Sequence, residues 1–120
     1  MKKKNSRLKM LIDLTNGDEA FIREMLGIFI KTTPSTISNI NSSLKEKNYS
    51  SVGDHAHKLK SSIQILGDKN LHDLVREIEK TAKTTNNSTE LEPLIEELNN
   101  EILLLLSWMK ERLKNPEKFT

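Results

Sequence analysis

The apolar residues of this 120-residue chain recur at steps of three and four over most of its length. That is the period of helices with one buried face. Residues 6 to 14 carry Leu8, Leu11 and Ile12 on one side and run into Thr15-Asn16-Gly17, which predicts a short first helix with a stop behind it. Asp18 reads as the N-cap of a helix over about 18 to 32. Its Phe21, Ile22, Met25, Leu26, Ile28, Phe29 and Ile30 make an apolar surface too wide for an outer helix, so it is expected in the core. Thr33-Pro34 predicts a restart, a capping residue followed by proline at the first helical position. The helix after it has Ile37, Ile40 and Leu44 on its inner stripe, and Lys47-Asn48-Tyr49-Ser50 breaks it.

A fourth helix follows, with Ser50 or Ser51 as candidate cap and Val52, Ala56, Leu59, Ile63 and Leu66 as its seam. Gly67-Asp68 ends that helix and caps the next, whose seam is Leu71, Leu74, Ile78 and Ala82. The polar run from Thr84 to Ser88 is a loop, and Thr89 is the expected cap of a last helix. There Leu91, Ile95, Leu98, Ile102, Leu105 and Met109 keep the period, with Pro93 in the first turn where proline is tolerated.

Nothing alternates with the period of two that marks a half-buried strand, and only four Gly and three Pro punctuate the chain. The class is therefore all-α. Long helices with short connections predict an antiparallel up-and-down four-helix bundle, with one or two short additional helices at its N-terminal end. The expected organisation is a flexible basic leader over 1–7, one bundle domain over 8–114 and a tail over 115–120.

Composition narrows the partners. Nineteen basic residues against seventeen acidic ones give a net charge of +2, and with three Phe, one Tyr and one Trp there is little to stack on bases. Nucleic acid is not expected as a partner. The basic start has no apolar segment behind it of the kind a secretory signal carries, and the run Ile102 to Leu106 is far shorter than the roughly 18 residues that span a bilayer. No direct membrane contact is expected. The absence of cysteine excludes disulfides and thiolate metal sites and fits a reducing, cytoplasmic setting. The last helix is expected to bury its leucine stripe within its own bundle, leaving a monomer.

The candidate chemistry lies in the fourth helix, in the stretch Asp54-His55-Ala56-His57-Lys58-Leu59-Lys60-Ser61-Ser62. At about 100° per residue, His57 points away from the seam and toward solvent. Gly53 and Ser61 lie one turn to either side of it, Lys60 at i+3 and Gln64 at i+7. If the helices on either side of Gly67 form an antiparallel hairpin, Ala56 faces Ile78 and His57 lies near Glu79. A carboxylate accepting from one ring N–H would fix the tautomer and leave the other nitrogen as a nucleophile. On these features alone an exposed histidine beside a lysine reads as ordinary solvated surface, and Glu79 as one more surface acid. His55, beside Asp54, and His72, beside Asp73, have no such setting and read as surface or partner contacts.

Other chemistries lack their parts. His55 and His57 diverge on a helix and no His-Glu-x-x-His pattern occurs, which argues against zinc. Ser61 and Ser62 have no nucleophile elbow or oxyanion loop, and there is no glycine-rich phosphate loop.

Ala56-His57-Lys58-Leu59-Lys60-Ser61-Ser62, followed by Gly67, resembles the Ala-His-x-Leu-Lys-Gly-Ser signature and later glycine of histidine-containing phosphotransfer (HPt) domains. Leu14, Gly17-Asp18 and the Phe21 to Phe29 helix closing at Pro34 are similar to the family's N-terminal half, and Leu71, Leu74 and Ile78-Glu79 to its helix after the histidine. The resemblance implies a helical bundle that carries a phosphoryl group on histidine between receiver domains of a phosphorelay. It implies His57 as phosphoacceptor, Lys60 as the cation that stabilises phosphate and Glu79 as hydrogen-bond partner of the imidazole. Ser61 and Gly67 would permit close approach, with Gly53, Gln64, Lys58 and Ile65 in the access and docking surface. Ser61 stands where the family usually has Gly, which bears on transfer rate more than on identity.

The implied partners are response-regulator receiver domains and a hybrid histidine kinase, from which such a domain is sometimes excised. The protein would be a phosphocarrier without an ATP site or cofactor of its own, with Mg²⁺ on the partner receiver. The competing expectation is a helical adaptor that binds a receiver or kinase domain without being phosphorylated.

Overall fold

The computed structural model describes residue 13, residues 16–85 and residues 87–114. The four long helices are α1 (Glu19–Lys45), α2 (Tyr49–Leu66), α3 (Lys69–Thr84) and α4 (Leu91–Lys114). Among the described residues there is no strand. Each helix packs on two neighbours in the ring α1–α2–α3–α4, so α2 and α4 lie diagonally opposite. Paired residues run in opposite order on adjacent helices: Gly53 meets Ala82 and His57 meets Glu79, while Glu19 meets Arg112 and Asn41 meets Asn99. The expected antiparallel four-helix bundle is what forms. The short helix expected over 6 to 14, the leader and the C-terminal tail fall outside the described residues, apart from Asp13.

The seams are buried much as the periodicity requires. Val52, Ala56, Leu59, Ile63 and Leu66 of α2 face Leu71, Val75, Ile78 and Ala82 of α3, and Leu91, Ile95, Leu98, Ile102, Leu105 and Met109 complete the core from α4. In α3 Val75 takes the central place expected of Leu74, which is only partly buried at the margin. The apolar surface of α1 is not wholly interior either. Ile22, Leu26 and Phe29 are buried, but Phe21 and Ile28 are exposed at 46% and 49%.

The break expected at Thr33-Pro34 is absent: α1 runs through Pro34 as one 27-residue helix. An internal proline withholds a hydrogen bond from the carbonyl four residues back, here Ile30, at a cost of about 3 kcal/mol. The buried positions explain why the helix continues. Ile22, Leu26, Phe29, Thr33 and Ile40 stay in phase across the proline, so both halves dock on the same neighbours, each buried aliphatic contributing roughly 1.5–3 kcal/mol.

Two expected caps move. Asn48, not Ser50 or Ser51, caps α2, its side-chain oxygen accepting from the Ser51 N–H at 3.2 Å. Both serines are already inside the helix. Before α4, the Ser88 carbonyl accepts from the Glu92 N–H at 2.9 Å and its hydroxyl donates to the Glu92 carboxylate at 2.8 Å. Thr89 instead turns its N–H to Asn87, at 2.9 Å. Asp18 and Asp68 cap α1 and α3 as expected, accepting from the N–H groups of Phe21 and Leu71.

Candidate functional site

The α2–α3 hairpin sets the site's geometry. Gly67 ends α2 in the left-handed conformation, φ +82°, a backbone state that glycine adopts without a Cβ penalty, and Asp68 starts α3 at once. So tight a reversal holds the two helices in register. As the hairpin argument required, His57 on α2 reaches Glu79 on α3: Nδ1 and Oε2 are 2.7 Å apart.

The two partners differ sharply in exposure. The His57 side chain is 61% exposed and that of Glu79 only 9%. A buried carboxylate needs compensation, and Glu79 receives it from three sides. Lys60 Nζ lies 2.8 Å from Oε1, while Lys83 Nζ lies 3.2 Å from the same Oε2 that meets the imidazole. The Lys60 contact holds the Glu79 carboxyl well below the usual range, down to about 2; His57 and Lys83 add to the effect, and burial opposes it. At neutral pH Glu79 is thus ionised and can only accept hydrogen bonds. His57 Nδ1 must therefore be the donor, and in the neutral ring Nε2 carries the lone pair.

The electrostatic balance follows. Beside the ring lie one carboxylate and two ammonium groups, an excess of one positive charge among the ring's neighbours. That arrangement suits a nucleophile that meets an anion.

Other residues singled out in the sequence divide into two groups. Ser61, Gln64 and Ile65 share the exposed stripe of His57, the last about 12 Å further along the helix at 1.5 Å per residue. Lys58 is exposed beside them. Gly53 and Gly67 do not belong to that surface. Gly53 is buried against α3, and a Cβ there would stand 3.5 Å from the Ala82 Cβ and 3.6 Å from the Lys83 Cγ, ordinary contact distances, so the position belongs to the α2–α3 contact. Gly67 is required by the turn. Among the described residues His55 has no partner comparable to Glu79, and His72 approaches the carboxylate of Asp73 at 3.9 Å.

Lys83 was not anticipated. Its signal was present in the sequence as the i,i+4 order Glu79 to Lys83 on one helix, the favourable direction for such a pair. Also unforeseen is a shallow cavity of about 70 Å³ lined by Met25, Ile28, Phe29, Ser62, Ile65 and Leu66, at the edge of the His57 stripe. Among the described residues no group of three or more His, Asp or Glu side chains could hold a metal ion. No helix among them is long and apolar enough to cross a membrane.

An exposed histidine oriented by a buried carboxylate, on a hairpin of a four-helix bundle, is one half of the comparison with known proteins. The other half is a match between residues 24–108 and the family model of the Hpt domain. The chain belongs to the Hpt domain family. Members of the Hpt family have a histidine phosphotransfer role in phosphorelays, as phosphocarriers that interact with receiver domains and kinases. The Hpt match spans α2 and α3 whole and includes His57, Lys60, Glu79 and Lys83. Searches of curated proteins and of solved structures gave no match.

Proposed function

We propose that His57 is the phosphoacceptor, taking a phosphoryl group from a phospho-aspartate of a receiver domain and passing it to the aspartate of another. The observation that carries this reading is the 2.7 Å contact from Nδ1 to a buried, ionised Glu79, which leaves the lone pair on Nε2 of an exposed ring. In the transfer the Nε2 lone pair forms a bond to phosphorus as the bond to the aspartyl oxygen breaks and leaves a carboxylate. The ring, still protonated on Nδ1, becomes a cationic phosphoramidate, whose positive charge Glu79 stabilises. Phosphoryl transfer depends mainly on alignment and charge compensation. Lys60 and Lys83 supply the cations on this side, while Mg²⁺ and an acidic pocket belong to the receiver.

The docking surface is the His57 stripe with Ser61, Gln64, Lys58 and Ile65, continued by the cavity and the exposed Phe21 and Ile28 of α1. The protein acts at the cytoplasmic stage of a relay that includes a hybrid histidine kinase, and needs no cofactor of its own.

Incubation with phosphorylated receiver domains tests the assignment. Wild type gains acid-labile, alkali-stable phosphate, and His57→Gln gains none while far-UV circular dichroism shows that it keeps the helix content of wild type. Phosphate at the wild-type level on the variant sinks the proposal; no phosphate on either protein favours an unphosphorylated adaptor.

A further inference from the structure

The charge around His57 is one-sided in a way that folding does not account for. At about 100° per residue, Arg76, Lys80 and Lys83 fall within one stripe of about 60° on the outward side of α3. Arg76 and Lys80 stand at i,i+4, a spacing at which like charges destabilise a helix. Both are exposed, and neither has an ion-pair partner among the described residues; the same is true of Lys58 on α2. The facing pairs Gly53–Ala82 and His57–Glu79 put Lys80 level with His57, and Arg76 one turn along, level with Ser61.

Nearby acids do not cancel this charge. Asp73 is paired with Lys69 at 3.6 Å, at the start of α3. Glu77 projects from the other flank of that helix, where it accepts from the Thr81 hydroxyl at 3.4 Å. Glu79 is already engaged by His57, Lys60 and Lys83. The part of α1 beside this stretch of α2 has no charged residue between Lys31 and Lys45. Five cations, Lys58, Lys60, Arg76, Lys80 and Lys83, thus stand against Asp54 and Glu79, an excess of three on a chain whose net charge is only +2.

We infer that Arg76 and Lys80 recognise carboxylates on the rim of the receiver domain that docks over His57. The inference rests on the proposed exchange with receivers, and it extends the docking surface from α2 and α1 onto α3. A partner with a standard footprint of about 800 Å² covers a disc of about 16 Å radius. Neighbouring helix axes lie about 8–10 Å apart, so a disc centred on His57 takes in the basic stripe of α3. The Cα–Cβ bond of Arg76 tilts toward the start of α3, away from His57. Arg76 therefore meets the partner beside the reacting atoms and not at them. Charges in that position act on encounter and affinity, and leave the chemical step alone.

The test measures, for the full chain, transfer from phosphorylated receiver domains and binding of the same domains without phosphate, each at low and high salt. The double variant Arg76→Gln with Lys80→Gln raises KM and Kd by about tenfold at low ionic strength, with the maximal transfer rate unchanged. The gap narrows to about twofold at about 0.5 M salt. Arg76→Lys with Lys80→Arg keeps both charges and the wild-type values. Lys110→Gln with Lys114→Gln removes the same charge from α4, diagonally opposite α2, and also leaves them unchanged. Far-UV circular dichroism checks that every variant keeps the helix content of wild type. If the neutral α3 pair matches the α4 pair in KM and Kd, or loses maximal rate at an unchanged Kd, the inference is overturned while His57 remains the phosphoacceptor. A receiver that binds wild type more tightly than the neutral α3 pair, yet leaves no phosphate on His57, overturns the phosphoacceptor reading and supports this one. A wild type that binds no receiver overturns both.

Discussion

Two buried charges in this bundle are satisfied in opposite ways. Between α2 and α3 the buried partner is the carboxylate of Glu79, and its three partners all lie nearer to water, Lys60 least and Lys83 and His57 most. Between α1 and α4 the buried partner is the cation. The Arg112 side chain is 3% exposed and forks onto the half-exposed Glu19, with contacts of 2.8 and 3.0 Å, while Arg23 reaches the Leu113 carbonyl at 2.8 Å. The second cluster ties two helix ends and presents nothing to a partner. The first holds its fixed charge inside and its variable group outside. A chemical change on the exposed ring is felt by the carboxylate without unpacking the core.

The strongest way to break this contrast is Glu79→Gln. The neutral amide no longer forces Nδ1 to be the donor, so phosphoryl transfer is expected to slow by about tenfold or more, as when a triad carboxylate loses its charge. Stability gives an independent readout. The carboxyl drops from its ordinary 4.5 to about 2 in the folded protein, so the stabilisation it provides is complete above 4.5 and fades as pH falls toward 2. Denaturant titrations should accordingly show wild type more stable than the variant at pH 7, with the gap closing between those two values.

Glu19→Ala should do the reverse. It strands a buried guanidinium, which should cost about 2 kcal/mol in unfolding free energy, yet transfer to His57 measured at a temperature where the variant is folded should equal that of wild type. A loss of transfer there would show that the two clusters are not separable. Lys83→Ala sharpens the comparison with the smallest effect. Its side chain is 58% exposed, so stability should change by less than about 0.5 kcal/mol. Transfer should slow by about two- to fivefold at low salt, the difference shrinking as salt rises.

The bundle was legible because its seams repeat cleanly, and the hairpin at Gly67 was legible because one glycine and one capping aspartate set the height of every facing pair. His57 and Glu79 could be placed together on that ground. Proline at 34 misled because a local rule for helix starts competes with packing phase, and the phase is carried by Thr33, whose polar side chain does not announce burial. Gly53 misled for a related reason. A small residue one turn from the histidine suits an open surface as well as a close helix contact, and only the neighbour across the interface, Ala82, decides which. Lys83 escaped notice because the reach of a long side chain is not written in its spacing from His57.

The pairing of Asn41 with Asn99 bears on which arrangement of the bundle exists at all. Each amide donates to the other at 3.0 Å, and Asn41 also donates to the Ile37 carbonyl at 2.8 Å. The seam of α4 repeats so evenly that sliding it by seven residues, about 10 Å, would set leucines and isoleucines nearly where they already lie. Such a slide would bring Leu106 or Glu92 opposite Asn41 and take Arg112 from Glu19. The aliphatic residues hold the helices together, and the two asparagines act as the notch that allows only one alignment.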